Sequence, residues 1–243
     1  MKTLSRLILC AVAAAALASP VLAQPAPGAV GSVIQGVTVV DGPIYVMIYI
    51  EVVPTAIPAT LAALKEYRAA AAREPGAMQV DIFQEQGQSH RFVVSEIWQN
   101  RGAVATHQRA PAMATLAQKT KPVELGPIDV RIHQAHSVTP IKPPSANTVA
   151  IISHADVAGG NTQNLIRAFA PLNEATQRDN GMVRFEILDE VPDHVNHFRL
   201  YEEWANLGAL EAHNRSAHSQ TYRQTIQQWL GTPYDQRIYR LAN

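Results

Sequence analysis

The sequence predicts an α+β protein made of two β-α-β-β-α-β repeats packed sheet to sheet within one chain. Three observations carry this. Residues 95–112, SEIWQNRGAVATHQRAPA, align without a gap on residues 201–218, YEEWANLGALEAHNRSAH. The identical positions are Glu96/Glu202, Trp98/Trp204, Asn100/Asn206, Gly102/Gly208, Ala103/Ala209, His107/His213 and Arg109/Arg215, so one unit is present twice. The register of 105 to 106 residues persists on both sides: EPGAMQVDIFQ (74–84) pairs with DNGMVRFEILD (179–189), and GPIDVRIHQA (126–135) with TPYDQRIYRL (232–241). Third, each half, 44–135 and 147–243, alternates strand-like and helix-like segments in the same order.

The elements follow from residue type. YVMIYIEV (45–52) is β-branched and aromatic, as a strand requires. IPATLAALKEYRAAAAR is a helix, with Pro58 in its first turn and Leu61, Leu64 and Tyr67 at helical spacing. Gly76 is expected to end it. AMQVDIFQ and RFVVSEIW are strands joined by the polar turn EQGQSH. RGAVATHQRAPAMATLAQKT is helical with a break near Pro111, and IDVRIHQ closes the unit. This order is the ferredoxin-like split βαβ motif. HSVTPIKPPSAN between the halves reads as an exposed, extended connector, its proline-rich core at 136–146. Residues 24–43 read as a loose arm.

Helices cover one face of such a sheet, and alternation shows what the other carries. Val46, Ile48, Ile50 and Val52 form a smooth aliphatic face suited to helices, leaving Tyr45, Met47, Tyr49 and Glu51 on the second. Phe92, Val94, Glu96 and Trp98, and equally Phe198, Leu200, Glu202 and Trp204, are also assigned to that second face. An apolar sheet face of this size calls for a partner, and the other half of the chain is the simplest one. A cavity is expected between the sheets or between sheet and helix.

The first 23 residues read as a secretory leader: Lys2 and Arg6, an apolar run from Leu7 to Leu17, and the small-residue end Val21-Leu22-Ala23. A periplasmic or secreted protein starting near Gln24 is expected. Cys10 lies in the leader and is the only cysteine, so disulfides and thiolate chemistry are excluded from the rest. The chain carries 20 basic and 20 acidic residues; removing the leader leaves 18 against 20, a net charge of −2. That balance speaks against nucleic acid as a partner. No later segment is long and apolar enough to span a bilayer.

The pattern F-x-L-Y-E-x-W-x(5)-L-x-A-H, complete in Phe198, Leu200, Tyr201, Glu202, Trp204, Leu210, Ala212 and His213, resembles the antibiotic biosynthesis monooxygenase (ABM) family. Glu74-Pro75-Gly76 ahead of a strand ending Phe83-Gln84 resembles it too. The resemblance covers both halves and implies a tandem repeat folded as an intrachain pseudo-dimeric α+β barrel. Family members include cofactor-independent monooxygenases of polyketide anthrones and quinols, haem-degrading enzymes and an isomerase, so fold does not fix the reaction. The expectation is a monooxygenase using O2 on a small aromatic, quinol or polyketide-like molecule, without cofactor. A binding protein for a hydrophobic ligand such as haem, quinone or polyketide is the alternative, and a purely structural module a third reading. Further association of pseudo-dimers is left open.

His107 and His213, each nine residues after its Trp, are the candidate general bases for a phenol or hydroquinone proton. The competing reading is that they pack the helix start. Glu96 and Glu202 orient those histidines or make structural hydrogen bonds. Trp98 and Trp204, with Phe92 and Phe198 on the same face, offer an aromatic wall for a planar substrate. Tyr49 and His154 occupy matching inward positions on the first strands, and His218 could reach the second cavity. The haem-degrading branch has an Asn where Tyr49 and His154 stand, which argues against that activity. Asp193, His194 and His197 read as a solvated turn, and His133 and His136 as ordinary strand-end residues, so no metal is expected. Asn214-Arg215-Ser216 matches a glycosylation sequon.

Overall fold

A computed structural model describes residues 33–34, 37–38, 42–136, 139–190 and 197–243. The leader, most of the arm, and Asp193 and His194 lie outside them. The first repeat consists of β1 (Ile44–Glu51), α1 (Ile57–Ala71), β2 (Ala77–Glu85), β3 (Arg91–Trp98), α2 (Arg101–His107), α3 (Pro111–Thr120) and β4 (Asp129–Ala135). The second consists of β5 (Val149–Asp156), α4 (Thr162–Thr176), β6 (Met182–Glu190), β7 (His197–Trp204), α5 (Leu207–Arg215), α6 (Ala217–Gln227) and β8 (Asp235–Leu241).

Several of the repeated residues are local folding devices. Asn100 and Asn206 cap α2 and α5, their side-chain oxygens accepting from Ala103 N at 2.9 Å and Ala209 N at 3.0 Å. Gly76 does not end α1, which stops at Ala71; it sits just before β2 at φ +86°, and Gly181 at φ +82°. A Cβ on either would lie 2.6 Å from the Ala103 Cβ or 2.7 Å from the Ala209 Cβ, so the repeated Gly/Ala pairs are one close approach made twice. The second helix of each repeat is divided where Pro111 opens α3 and Ser216 caps α6.

Within the repeats the strand orders are β4-β1-β3-β2 and β8-β5-β7-β6, all antiparallel. The two sheets also join at their edges. β4 pairs with β6 (Ala135 opposite Leu188), and β2 with β8 (Phe83 opposite Leu241), which closes an eight-stranded barrel. Closure satisfies the backbone groups that two separate sheets would leave open at their edges.

The barrel has two apolar surfaces. Its outside packs on the helices, through Val46, Ile48, Ile50 and Ile82 against Leu64 and Tyr67, with an equivalent cluster in the second repeat. Its inside is lined by Tyr45, Met47, Phe83, Val93, Ile97, Ala150, Ile152, Leu188, Tyr201 and Tyr239. One face assignment from the sequence is corrected here. Phe92, Val94 and Trp98, and Phe198, Leu200 and Trp204, lie with the helix-covered clusters, whereas Val93, Ile97 and Tyr201 point inward. β3 is largely apolar on both faces, so alternation within it cannot say which face meets the helices, whereas β7 turns Arg199, Tyr201 and Glu203 into the barrel and gives its more apolar face to the helices.

The barrel interior also holds charge. Arg184, with no exposed surface, lies 3.3 Å from Glu186 Oε1 and 3.6 Å from Glu203 Oε1. It also donates to Gln79 Oε1 at 3.0 Å, and Tyr201 donates to Glu203 Oε1 at 2.6 Å. Burial pushes the Glu203 carboxyl up to about 7 and raises Glu186, while Arg184 opposes both shifts. The interrepeat connector, mostly exposed as expected, is anchored at one point. Thr139 is buried, its backbone N donating to Glu186 Oε1 at 3.0 Å and its hydroxyl to Phe185 O at 3.2 Å. A buried carboxylate needs such a donor, so the connector is fastened to β6.

Candidate functional site

Each repeat brings its Trp, Glu and His together between sheet and helices, outside the barrel. In the first, the Trp98 and His107 rings stack at 4.3 Å and Trp98 Nε1 donates to Glu96 Oε2 at 2.8 Å. His107 Nδ1 lies 2.8 Å from Glu74 Oε2, and His107 Nε2 lies 2.8 Å from the Tyr67 hydroxyl, which itself donates to Glu96 Oε1. Tyr67 has one hydroxyl hydrogen and spends it on Glu96. With that hydrogen on Glu96, Nε2–H donates to the Tyr67 oxygen and Nδ1–H to Glu74, an arrangement that favours the imidazolium form of His107 between two carboxylates. Burial alone would lower the His107 pKa, but the hydrogen bonds and charges of Glu96 and Glu74 outweigh it, and the net shift is upward.

The second repeat keeps the frame and changes the lock. Trp204 Nε1 donates to Glu202 Oε2 at 2.9 Å, and the Trp204 and His213 rings lie 4.6 Å apart. His213 Nδ1 is 2.7 Å from Asp179 Oδ2, the counterpart of Glu74. The residue matching Tyr67 is Leu172, and that matching Leu116 is Tyr222, so the phenol has moved from the first helix of the repeat to the last. Burial lowers the His213 pKa; Asp179 opposes this, and His218 and Arg223 add to the lowering. His213 is thus the neutral histidine of the pair at neutral pH, with its ring oriented by a carboxylate.

Grooves of about 280 Å³ lie beside both groups. Tyr67, Ala112 and Leu116 line the first; Leu172, His218 and Tyr222 line the second. A cleft of about 690 Å³ bounded by Arg223, Leu230 and Tyr234 lies at the far end of α6. Glu202 carries the other large shift: burial pushes its carboxyl from 4.5 up to about 7, with Trp204 and Arg223 opposing. A raised carboxyl pKa stabilises the fold fully below the unfolded value, and that contribution is lost as pH rises through the folded one. Glu202→Gln is therefore expected to remove a loss of about 3 kcal/mol between pH 4.5 and 8. Urea denaturation across that range measures it; an unchanged profile would mean that Glu202 is ionised in the fold.

The structure separates two predicted residues from the rest. Tyr49 and His154 lie on the inward face of the barrel, across the sheet from Trp, Glu and His, and do not belong to either group. There Arg131 sits 5.3 Å from the Tyr49 ring centroid, and burial with Arg199 and Arg131 pushes His154 down to about 4. His133 is not an ordinary strand-end residue: it is fully buried, and burial with the same arginines drives it to about 3. Phe92 and Phe198 are core residues on the helix side. His197, from the predicted turn, lies in β7, 2.7 Å from Asp156. His218 does reach the second group, at 2.9 Å from Asp179 Oδ2.

Sequence reasoning missed Tyr67, Glu74 and Asp179. The signal for the acids was present, since Glu74 and Asp179 stand in register in the EPG and DNG segments. Tyr67 carried no such signal, because its helical spacing is that of any core residue.

A closed barrel of two fused ferredoxin-like units, with a Trp–Glu–His group under the helices of each, defines a pseudo-dimeric α+β barrel protein. The profile of the antibiotic biosynthesis monooxygenase family matches residues 43–119 and 148–225, more than half of the chain, and the chain belongs to that family as a tandem repeat. Among solved structures, a putative monooxygenase of Lactobacillus acidophilus NCFM is similar at TM-score 0.71 and 13% identity, over 83% of this chain and 95% of its own. Another of Fusobacterium nucleatum gives TM-score 0.75 and 14% identity, over 84% and 94%. An anthrone oxidase-like protein gives TM-score 0.65 and 10% identity, over 83% and 91%. These likenesses establish the fold. No curated protein matches the chain in sequence. Among the described residues, no helix is long and apolar enough to cross a membrane.

Proposed function

We propose that the chain is a monooxygenase-type oxidoreductase acting with O2 on a small phenol, hydroquinone or anthrone-like aromatic, and that the second repeat does the chemistry. One observation carries this reading. His213 is carboxylate-oriented and neutral at neutral pH, and the position of the first repeat's locking phenol is aliphatic there. The substrate lies in the groove between α4 and α6, and His213 takes its hydroxyl proton. The electron-rich anion then reduces O2. For an anthrone-type methylene, CH2 becomes C=O, one oxygen atom enters the product and the other leaves as water. Asp179 holds the imidazole tautomer, and Trp204 fixes the ring plane. His107, held toward the imidazolium form by Glu74 and Glu96, serves as a structural ion pair. The leader-like residues 1–23 support a site of action outside the cytoplasm.

The reciprocal exchange tests which half works. Leu172→Tyr should install the lock and lower O2 uptake with hydroquinones or anthrones by ~100-fold, the scale of a lost general base. Tyr67→Leu should leave uptake unchanged. Loss of uptake in Tyr67→Leu alone would move the chemistry to the first repeat. Tight binding of the aromatics without O2 uptake would favour a ligand-binding role.

A further inference from the structure

We propose that Asp179, His213 and His218 form a binding site for one divalent transition-metal ion of zinc-like character, present in the second repeat only. His213 Nδ1 and His218 Nε2 converge on one carboxylate oxygen, Asp179 Oδ2, at 2.7 and 2.9 Å, and the three ligand atoms lie within 4.8 Å of one another. Around an ion with bonds of about 2.0–2.2 Å, tetrahedral donors stand roughly 3.3 Å apart. Small side-chain rotations that part the two imidazoles from the carboxylate therefore suffice. Two imidazoles and a carboxylate suit zinc and its neighbours, and reject calcium and magnesium.

The surroundings fit an ion. The three ligands come from the turn before β6, from α5 and from the first turn of α6, each fixed by the fold. His213 is held against Trp204 and edge-on to Phe185, so its ring plane is set. The His218 and Asp179 side chains remain 24% and 20% exposed, which leaves a path for the ion and room for a water as fourth ligand. The first repeat has Glu74 and His107 in the same places but Ala112 where His218 would be, and its histidine is engaged on both nitrogens. For the oxidation proposed above, and resting on that reading, the ion would be an off-switch. It takes His213 Nδ1 from its bond to Asp179 and shifts the ring's one proton to Nε2, so the imidazole has no free lone pair left for a substrate proton.

The test is a titration of the chelator-stripped chain with Co2+, followed by displacement with Zn2+. One equivalent of Co2+ should bind and show visible ligand-field bands, and Zn2+ should abolish them. His218→Ala, on the rim, should weaken binding by at least ~10-fold, whereas His107→Ala should leave it intact. If His218→Ala does not fold, Asp179→Asn is read in its place. No saturable binding, or binding unaltered in His218→Ala, overturns the proposal. Metal binding without O2 uptake on any aromatic would uphold the site and sink only the proposed oxidation.

Discussion

Arg184→Leu is expected to destabilise the chain by about 3–5 kcal/mol at pH 8, a large share of a domain's net stability. Arg184 is fully buried inside the barrel between Glu186 and Glu203 and also holds Gln79. Leucine fills part of the volume but leaves two carboxyl groups in a low-dielectric interior without their cation. The cost should shrink at pH 5. Glu203 is already pushed up to about 7 and Glu186 is raised by burial, and loss of the opposing Arg184 charge moves both further toward the protonated form, which needs no counter-charge. Adding Glu186→Gln and Glu203→Gln should recover most of the lost stability, since neutral replacements remove the orphaned charges. Urea denaturation at the two pH values measures this. An equal loss at both would show that the cluster is held by packing and hydrogen bonds rather than by charge.

His213→Ala is expected to lower turnover on the aromatic substrate by about 10²- to 10⁴-fold, the usual worth of a positioned base. The loss should fall on kcat, because the groove walls Leu172 and Tyr222 are untouched. In the parent chain, kcat/KM should decline on the acid side at a pH below the ordinary histidine value, because burial, His218 and Arg223 favour the neutral ring. Asp179→Asn should flatten or shift that limb, since the carboxylate opposes the lowering. His107→Ala should cost stability and spare the pH profile. Full turnover in His213→Ala with a folded chain would remove histidine from the chemistry.

The tandem repeat, the strand and helix order, and the break near Pro111 were all legible in the sequence. They rest on local periodicity, on turn residues and on the self-alignment of the chain. Asn100, Asn206, Gly76 and Gly181 are repeated because each performs a local backbone task. The pairing of Trp, Glu and His was also legible, since residues two apart on a strand share a face and the following helix returns over it. Which face that is was not legible. β3 is largely apolar on both sides and β7 sends charged Arg199 and Glu203 inward, so only the packing of α1 and α4 assigns one side to helices and the other to the barrel. Tyr49 and His154 were rightly read as inward, and they were grouped with Trp, Glu and His only because those had been assigned to the same face.

Self-alignment of the chain is enough to establish that one folding unit occurs twice and that each copy carries a Trp, a Glu and a His in fixed register. Tertiary structure alone decided that Tyr67 locks the first histidine, that Leu172 leaves the second without that phenol, and that His218 joins Asp179. Those relations depend on helices meeting side by side, at separations of tens of residues. No periodicity within a strand or helix encodes which side chain will stand opposite a given imidazole nitrogen.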